Sequence, residues 1–564
     1  MSHWRGFLVG WIIIVVGVGI AHFVQTSADV TVKDVRFSSA MGKTLSALLY
    51  LPPDASPTNK APGILAVHGY INSREVQSGF AIEFARRGYV VLALDQIGHG
   101  YSDPPAFSEG FGGPDALVYL RSLDMVDTAN IGLEGHSMGG WAVLAAAAAM
   151  PDAYRSVVLQ GSSTGPPFAI DGTASWPRNV AVVFSQFDEF AELMWGVRRA
   201  LDVAQSKKLQ TLFATSADVI ADKVYGDINA GTARILHQPA VTHPGDHISH
   251  TAIGHAIDWF SQTLDGAHVL PPENQIWFIK EIGTLIALIG FVVLILGSVQ
   301  ILLQLKYFQV LKTPSQTAAY ESRSLKWWCY ALLGTIIPVA TFYPFFGWAE
   351  TLMPPSAWFP QGITNQVLLW ALANGVIAAV ISRLSGSKTS NHPHAFIPSL
   401  ALALTSIAIA CSAVFLADVL FTVDFRFWFV GVKMLSLLQF KMALIYLAPF
   451  TVYFVLALRA LHNGTSVRTD SWLAAYSANA FIMMGGFLFF LIFQYAYLFG
   501  TGSLLTPDEP LNTIVMIQFV PLLFIVAVIS TFTHRRTGSY LPGAFINGLF
   551  VTWYIVAGQA TQFA

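Results

Sequence analysis

The chain has 564 residues, of which 54% are hydrophobic and only 11% are charged, and its mean hydropathy is +0.54. An ordinary soluble domain carries roughly 25% charged residues, so the composition excludes a protein that is soluble throughout. The formal net charge of -2 excludes the polycationic surface that binds phosphate backbones, and we expect no nucleic-acid partner. Both cysteines, Cys329 and Cys411, fall in apolar runs, which excludes a disulfide framework or a thiolate metal site in water-exposed regions.

The first predicted element is an apolar segment that contains no charged residue from Gly6 to Ala28. Its core approaches the ~20 residues with which a helix crosses about 30 Å of hydrocarbon. A cleaved signal peptide would also follow a basic residue, here Arg5, but this core is long and no Ala-x-Ala-like site follows it. We therefore interpret residues 1–28 as a transmembrane anchor.

A region with charges every few residues comes next, at 29–270, and we assign it to one α/β domain. Short β-branched runs predict strands at 30–37, 45–51, 63–67, 90–94, 131–133, 156–159 and 180–184. Amphipathic or apolar runs between and after them predict helices at 79–87, 138–150 and 250–263. Strands that alternate with helices indicate a mostly parallel sheet covered by helices on both faces.

Hydrophobic sequence returns in residues 271–564, which we interpret as an all-α polytopic membrane domain. Candidate spans lie near 282–305, 327–348, 366–382, 396–421, 442–458, 472–498, 514–532 and 541–560. With the anchor, the chain is expected to have about nine transmembrane helices.

The basic residues predict which side of the membrane each loop occupies, because Lys and Arg collect on the cytoplasmic side. Alternate crossings that start with Arg5 inside place most other basic loop residues inside as well: Lys306, Lys312, Arg323, Lys326, Arg383, Lys388, Arg459, Arg468, Arg535 and Arg536. The opposite loops at 350–365 and 500–512 contain no Lys or Arg. This pattern predicts a multi-pass protein of the cell membrane whose α/β domain lies outside the cytoplasm.

One segment departs from that pattern. Residues 424–441 lie on the predicted outer side but contain Arg426, Lys433 and Lys441 among aromatic residues. We interpret this segment as a helix lying in the interface, with basic side chains reaching the headgroups of membrane lipids. Together with the apolar loop 350–365 it would form part of a route for substrate.

The pentapeptide Gly135-His136-Ser137-Met138-Gly139 has the G-x-S-x-G pattern that allows a serine to occupy a tight turn between a strand and a helix. A predicted strand precedes it and a strong helix-forming run follows it, as this turn requires. Ser137 would then lie at a helix N-terminus, whose dipole favours a developing oxyanion. Ser137 is the candidate nucleophile.

With these residues the sequence resembles the α/β-hydrolase superfamily over about residues 30–265. His68-Gly69-Tyr70 follows a predicted strand, and residues 95–102 resemble the family's glycine-rich turn, although Ile97 stands where an Arg is frequent. The His-Gly-Tyr and Ser-Met-Gly-Gly sequences are similar to those of dienelactone-hydrolase-like esterases. The resemblance implies an oxyanion hole formed by the backbone N–H groups of Tyr70 and Met138.

A serine nucleophile needs a histidine base and a carboxylate that orients it, and in this fold the order along the chain is Ser, acid, His. Asp188 follows a predicted strand and is the candidate acid, with Asp171 as the alternative, although Asp188 could instead cap a helix near Phe190. By the resemblance, the favoured base is His243, with His247 as the alternative. We interpret His237 and His255, which fall in a strand and a helix, as packing residues.

His243 and His247 also form an H-x-x-x-H pair, which binds zinc only on a helix. Pro244-Gly245 between them disfavours that helix, so we expect no metal, and the chemistry needs no cofactor. The sequence thus predicts a membrane-integral serine hydrolase acting on a small-molecule or lipid ester. A transport or sensing protein with an accessory or inactive hydrolase-like domain stays open, as do an acyltransferase or peptidase with the same triad, and so does the oligomeric state.

Overall fold

The protein is described from a computed structural model that covers residues 4–268, 270–312, 324–384, 395–465, 471–558 and 561–563. A first helix leads into a sheet domain, and a long helical region follows. The strands of the sheet are β1 (Thr31–Ser38), β2 (Thr44–Leu51), β3 (Ala61–Val67), β4 (Val90–Asp95), β5 (Val126–His136), β6 (Ser156–Gln160), β7 (Val180–Val183) and β8 (Arg234–His237).

The eight strands form one sheet in the order β1-β2-β4-β3-β5-β6-β7-β8. β1 and β2 pair antiparallel, as do β2 and β4, and all other neighbours are parallel. The prediction of a mostly parallel sheet is therefore confirmed. Because parallel strands end at the same edge, the loops that follow β3, β5, β7 and β8 meet there.

Helices cover both faces of this sheet because its central strands alternate between two apolar cores. Leu65 and Leu133 contribute to the core on one face, whereas Ile64 packs with Phe80 and Phe260 in the core on the other. The helices of the domain are α2 (Ser78–Ala85), α3 (Gly113–Ser122), α4 (Met138–Ala149), α5 (Ala191–Trp195), α6 (Lys207–Leu212) and α7 (His250–Thr263).

The remaining helices are apolar. They are α1 (Arg5–Gln25), α8 (Trp277–Leu302), α9 (Leu325–Ala340), α10 (Phe342–Leu352), α11 (Gly362–Leu384), α12 (Phe396–Phe421), α13 (Leu437–Gly464), α14 (Trp472–Thr501), α15 (Pro510–Thr537) and α16 (Leu541–Gly558). Within the described ranges, eight of these are long and apolar enough to cross a membrane, and a ninth crossing results if α9 and α10 count as one.

The segment predicted as a single helix at 327–348 is instead the pair α9 and α10, bent by 48°. Prolines explain the break. Pro344 has no N–H for the carbonyl of Ala340, and Pro338 weakens the last turn of α9. At the bend, the Ile337 carbonyl accepts both the N–H of Thr341 at 3.0 Å and its hydroxyl at 2.8 Å.

Helices α1 and α8, which precede and follow the sheet domain, pack closely because glycines line their contact. A Cβ on Gly17 would lie 2.5 Å from the carbonyl oxygen of Gly283, and one on Gly290 would lie 2.8 Å from the amide nitrogen of Ile14. No larger residue fits at these positions. Small residues that let two backbones approach are typical of helix pairs in membranes.

The prediction of an interfacial helix at 424–441 is wrong. The segment forms a hairpin of two antiparallel strands, β9 (Phe425–Phe427) and β10 (Val430–Val432), and α13 begins only at Leu437. Arg426 and Lys433 are each 3% exposed. They pair with acidic side chains, Lys433 with Glu75 of the sheet domain at 2.8 Å, and therefore do not reach outward to headgroups.

The sheet domain contacts one end of the helical region. The contacts include the hairpin and the C-terminal residues: Tyr101 donates to the carbonyl of Met434 at 2.8 Å, and the Gln562 amide donates to that of Gly98 at 2.7 Å. Arg383, Arg459, Arg535 and Arg536 lie near the opposite ends of their helices, while Arg323, Lys388 and Arg468 fall outside the described residues.

Candidate active site

Ser137 occupies the sharp turn between β5 and α4, with φ 55° and ψ −122°. Glycines on either side make this turn possible. A Cβ on Gly135 would lie 2.3 Å from the carbonyl oxygen of Gly139, and one on Gly139 would lie 2.1 Å from that of Val67. Ser137 is partly exposed, whereas the other four residues of the pentapeptide are buried.

Asp188 and His243 come together at the edge of the sheet where β7 and β8 end. Their Oδ2 and Nδ1 atoms are 2.8 Å apart, and both side chains are buried. The other carboxylate oxygen of Asp188 accepts the Phe190 N–H at 2.8 Å. The capping role considered from the sequence and the contact with histidine therefore coexist on one side chain.

The Asp188 contact sets the protonation of His243. Burial alone would lower the pKa of His243, but the negative charge and hydrogen bond of Asp188 outweigh burial and raise that pKa above its ordinary value. Because the carboxylate accepts a hydrogen bond from Nδ1–H, the neutral ring leaves Nε2 as an acceptor. Ser137 and His243 line the same cavity, which has a volume of about 60 Å³.

The two residues proposed for the oxyanion hole also border this site. Tyr70 lines the cavity with Ser137. Met138 is the first residue of α4, and the N–H groups of a first helical turn have no intrahelical acceptor. A Cβ on Gly69 would lie 3.0 Å from the Cβ of Ser137, so the loop after β3 passes directly beside the serine.

The alternative residues lie elsewhere or in a less suitable environment. Asp171 is exposed and lies against Gly165, not at His243. His247 borders the cavity with its ring centroid 4.0 Å from that of His136. Burial, and then the charge of His243, lower the pKa of His247 to about 3, which makes it a weak base.

Outside the cavity, one group among the described residues has metal-ligand spacing. Ligand atoms of Asp222, His237 and His255 lie within 4.8 Å of one another. His237 Nδ1 is 2.6 Å from the Asp222 carboxylate, and the His237 and His255 rings stack. The packing role expected for the two histidines stays a prediction.

Sequence reasoning missed Glu189, which links the site to the helical region. Its carboxylate accepts the backbone N–H of His243 at 2.8 Å and the hydroxyl of Tyr495, on α14, also at 2.8 Å. Burial, and then the negative charge of Asp188, raise the pKa of Glu189 to about 7. The Asp188-Glu189 pair was visible in the sequence, but the distant partner was not.

Comparison with known proteins agrees with the topology of the sheet domain. The sequence profile of the α/β hydrolase fold matches residues 62–195. The sheet domain has the α/β-hydrolase fold. The monoacylglycerol lipase of Mycolicibacterium smegmatis is 32% identical over 194 residues, 33% of this chain and 63% of that protein. Human dipeptidyl peptidase 8 is 30% identical over 139 residues, 22% of this chain and 16% of that protein.

Among solved structures, the brefeldin A esterase, described as a bacterial homologue of human hormone sensitive lipase, is 14% identical with a TM-score of 0.31 and covers 45% of this chain and 86% of that one. The chain spans between 16% and 63% of the length of the two curated relatives named above.

The hydrolase domain does not enclose its cavity alone. Phe429, at the turn of the β9–β10 hairpin, and Leu511, Ile514 and Gln518 of α15 complete the lining. The loop after α10, in contrast, contributes none of the lining residues in the described part of the chain. Gln518 was detectable in the sequence as a polar residue within an apolar span, whereas its position beside the hydrolase domain was not.

Proposed function

We propose that the chain is a membrane-integral serine hydrolase that cleaves apolar or lipid-like carboxylic esters. The observation that carries this proposal is a single cavity that contains Ser137 and an Asp188-paired His243 and has part of its wall from an apolar helix. An apolar wall beside the serine favours an apolar acyl group, because burying it there removes it from water. Tyr70 and Met138 supply the backbone N–H groups that receive negative charge.

In the first half of the reaction, the Ser137 hydroxyl attacks the ester carbonyl carbon and its proton passes to Nε2 of His243. Asp188 holds the ring and stabilises the imidazolium that forms. The carbonyl oxygen becomes an oxyanion, and two preorganised N–H donors stabilise such a charge in the transition state. The ester C–O bond then breaks, and His243 returns the proton to the leaving alcohol.

In the second half, water attacks the acyl-serine while His243 accepts one of its protons. The bond to Ser137 breaks, the proton passes back to the serine oxygen, and a carboxylic acid leaves. His243 must be neutral at the start of each half. Because Asp188 raises its pKa, activity is expected to rise with pH through a value above 6.5, the ordinary histidine pKa.

The proposal includes insertion of the apolar helices into a membrane, with the hydrolase domain outside the cytoplasm. Two observations support this arrangement. The close α1–α8 pair enters and leaves the domain at one end of the helical region, and the basic ends of α11, α13 and α15 lie at the other end. Basic residues favour the cytoplasmic side.

The test is the substitution Ser137→Ala in purified full-length protein, assayed with p-nitrophenyl butyrate and with a fluorophosphonate label. We expect loss of labelling and a fall in turnover of several orders of magnitude. Ser163→Ala removes another serine hydroxyl, one that is buried in the domain, and is the matched control. It should keep both the fluorophosphonate labelling and the turnover of the wild type. Turnover by Ser137→Ala near that of the wild type would disprove the serine mechanism.

A further inference from the structure

Two more cavities continue from the catalytic one into the helical region. The middle cavity, of about 40 Å³, lies between α11, α13, α15 and α16, and the deep cavity, of about 110 Å³, lies between α9, α11, α13, α14 and α15. Each is larger than the space of about 10–15 Å³ that one water molecule needs. Their walls are mostly aliphatic and aromatic, and an apolar cavity favours an apolar occupant over water.

Shared residues connect the three cavities in series. Gln518 borders both the catalytic and the middle cavity, so the thickness of one side chain separates them. Trp370, Tyr453 and Leu523 border both the middle and the deep cavity. The series therefore begins at Ser137 and ends between apolar helices, at a cavity whose lining includes the exposed Leu333 of α9.

One face of α15 lines the whole series. The residues of that helix that border the cavities recur every three or four positions: Leu511, Ile514, Val515, Gln518, Phe519, Leu522, Leu523 and Val526. This spacing is that of a single helix face. Twelve residues separate Leu511 from Leu523, which at 1.5 Å per residue gives about 18 Å, slightly more than the ~15 Å half-thickness of the hydrocarbon core of a bilayer.

We propose that these cavities form a tunnel for the acyl chain of the substrate, so that the enzyme acts on esters of long-chain fatty acids. The inference rests on the proposed function, because it starts from an acyl group held at Ser137. The carbonyl lies at the serine, the chain passes Gln518, and its end reaches the deep cavity. Length and apolar lining fit a single chain such as a membrane lipid carries.

Gln518 lies between the catalytic and middle cavities. Its side-chain oxygen accepts a hydrogen bond from the Tyr554 hydroxyl, on α16. This bond holds the amide against a neighbouring helix, whereas the rest of the middle cavity is bordered mainly by apolar side chains. A chain that enters the middle cavity passes this side chain first.

The experiment blocks the tunnel at two depths and measures kcat/KM with p-nitrophenyl butyrate, octanoate and palmitate. Ala371→Phe fills the middle cavity, and Ala457→Phe fills the deep cavity. One buried methylene is worth about fourfold in kcat/KM, so exclusion of four should cost about 250-fold. We expect Ala457→Phe to lower the palmitate-to-butyrate ratio by that factor, and Ala371→Phe to lower the octanoate-to-butyrate ratio also.

The matched control is Val376→Phe, which adds comparable bulk on the exposed face of α11, and it should leave both ratios at wild-type values. If a phenylalanine prevents folding, Ala371→Leu and Ala457→Leu make the same comparison with a smaller side chain. As a second readout, the rate at which long-alkyl and short-alkyl fluorophosphonates label Ser137 reports the tunnel without turnover.

The outcomes separate the tunnel from the proposed function. Wild-type protein that cleaves esters, together with ratios that no blocking variant changes, would overturn the tunnel and leave the serine hydrolase intact. The blocking variants could instead lose thermal stability and co-purified lipid while their kcat/KM ratios stay unchanged. That result would assign the cavities to a structural lipid and would also overturn the tunnel. Protein that cleaves none of the three esters and does not react with fluorophosphonate would overturn the proposed function itself.

Discussion

The contact between Glu75 and Lys433 provides a quantitative test of how the hydrolase domain is held on the helical region. Both carboxylate oxygens of Glu75 lie 2.8 Å from the Lys433 ammonium group, which is 3% exposed. Arg74 and Arg426 also approach Glu75, at 3.3 Å and 3.9 Å. Burial alone would raise the pKa of Glu75, but these three cations outweigh burial and hold that pKa well below its usual range.

The substitution Glu75→Gln removes the acidic partner of Lys433 while keeping the size of the side chain. A buried charge that loses its partner costs about 3–5 kcal/mol. For a domain of this size, 1 kcal/mol corresponds to about 2–4 °C, so the melting temperature should fall by about 10 °C. The double variant Glu75→Gln/Lys433→Met should recover most of this loss, because the unpaired ammonium group is then absent, while Arg74 and Arg426 keep Asp34 and Asp424 as partners.

The assay is thermal unfolding of full-length protein in detergent, followed by intrinsic fluorescence. Glu192→Gln, at an exposed glutamate of the same domain, is the matched control and should change the melting temperature by little. The reasoning is refuted if Glu75→Gln has the melting temperature of the wild type, or if the double variant is no more stable than the single variant.

Three further predictions concern the triad, a buried acid and the topology. Asp188→Asn should lower kcat/KM for p-nitrophenyl butyrate by about 10³–10⁴, whereas His247→Gln should lower it by less than about tenfold; equal losses would contradict the choice of base. Glu189 has a pKa of about 7 in the folded protein against 4.5 ordinarily, so its ionisation should lower the free energy of unfolding by about 3 kcal/mol as pH rises from 4.5 to 7. In the Glu189→Gln variant the melting temperature should lack this decrease with pH. An unchanged decrease in the variant would exclude Glu189 as its source. A cysteine replacing the exposed Ser175, with Cys329 and Cys411 removed, should react with a membrane-impermeant maleimide in intact cells, and labelling only after lysis would invert the topology.

The elements that the sequence predicted well are those that depend on short-range pattern. Alternation of β-branched and helical runs located the strands, and the G-x-S-x-G spacing located Ser137 because the tight turn tolerates only small residues beside it. Asp188 and His243 could be proposed together because each follows a strand of a parallel sheet, and neighbouring parallel strands end at the same edge.

The elements that were missed depend on contacts between distant parts of the chain. From the sequence alone, the basic and aromatic residues of 424–441 fit an interfacial helix. The partner that contradicts this interpretation, Glu75, lies more than 300 positions away in the chain. Pro338 and Pro344 were visible, but the choice between a kinked helix and two helices depends on neighbouring packing. The role of Glu189 depends in the same way on Tyr495.

The helical region contributes directly to the candidate active site. Tyr495 binds the carboxylate that also holds the backbone N–H of His243, and α15 supplies a wall of the catalytic cavity. A sheet domain separated from these helices would lose an apolar wall of this cavity and a hydrogen bond next to His243. The helical region therefore shapes the space beside Ser137 and constrains the loop that carries His243.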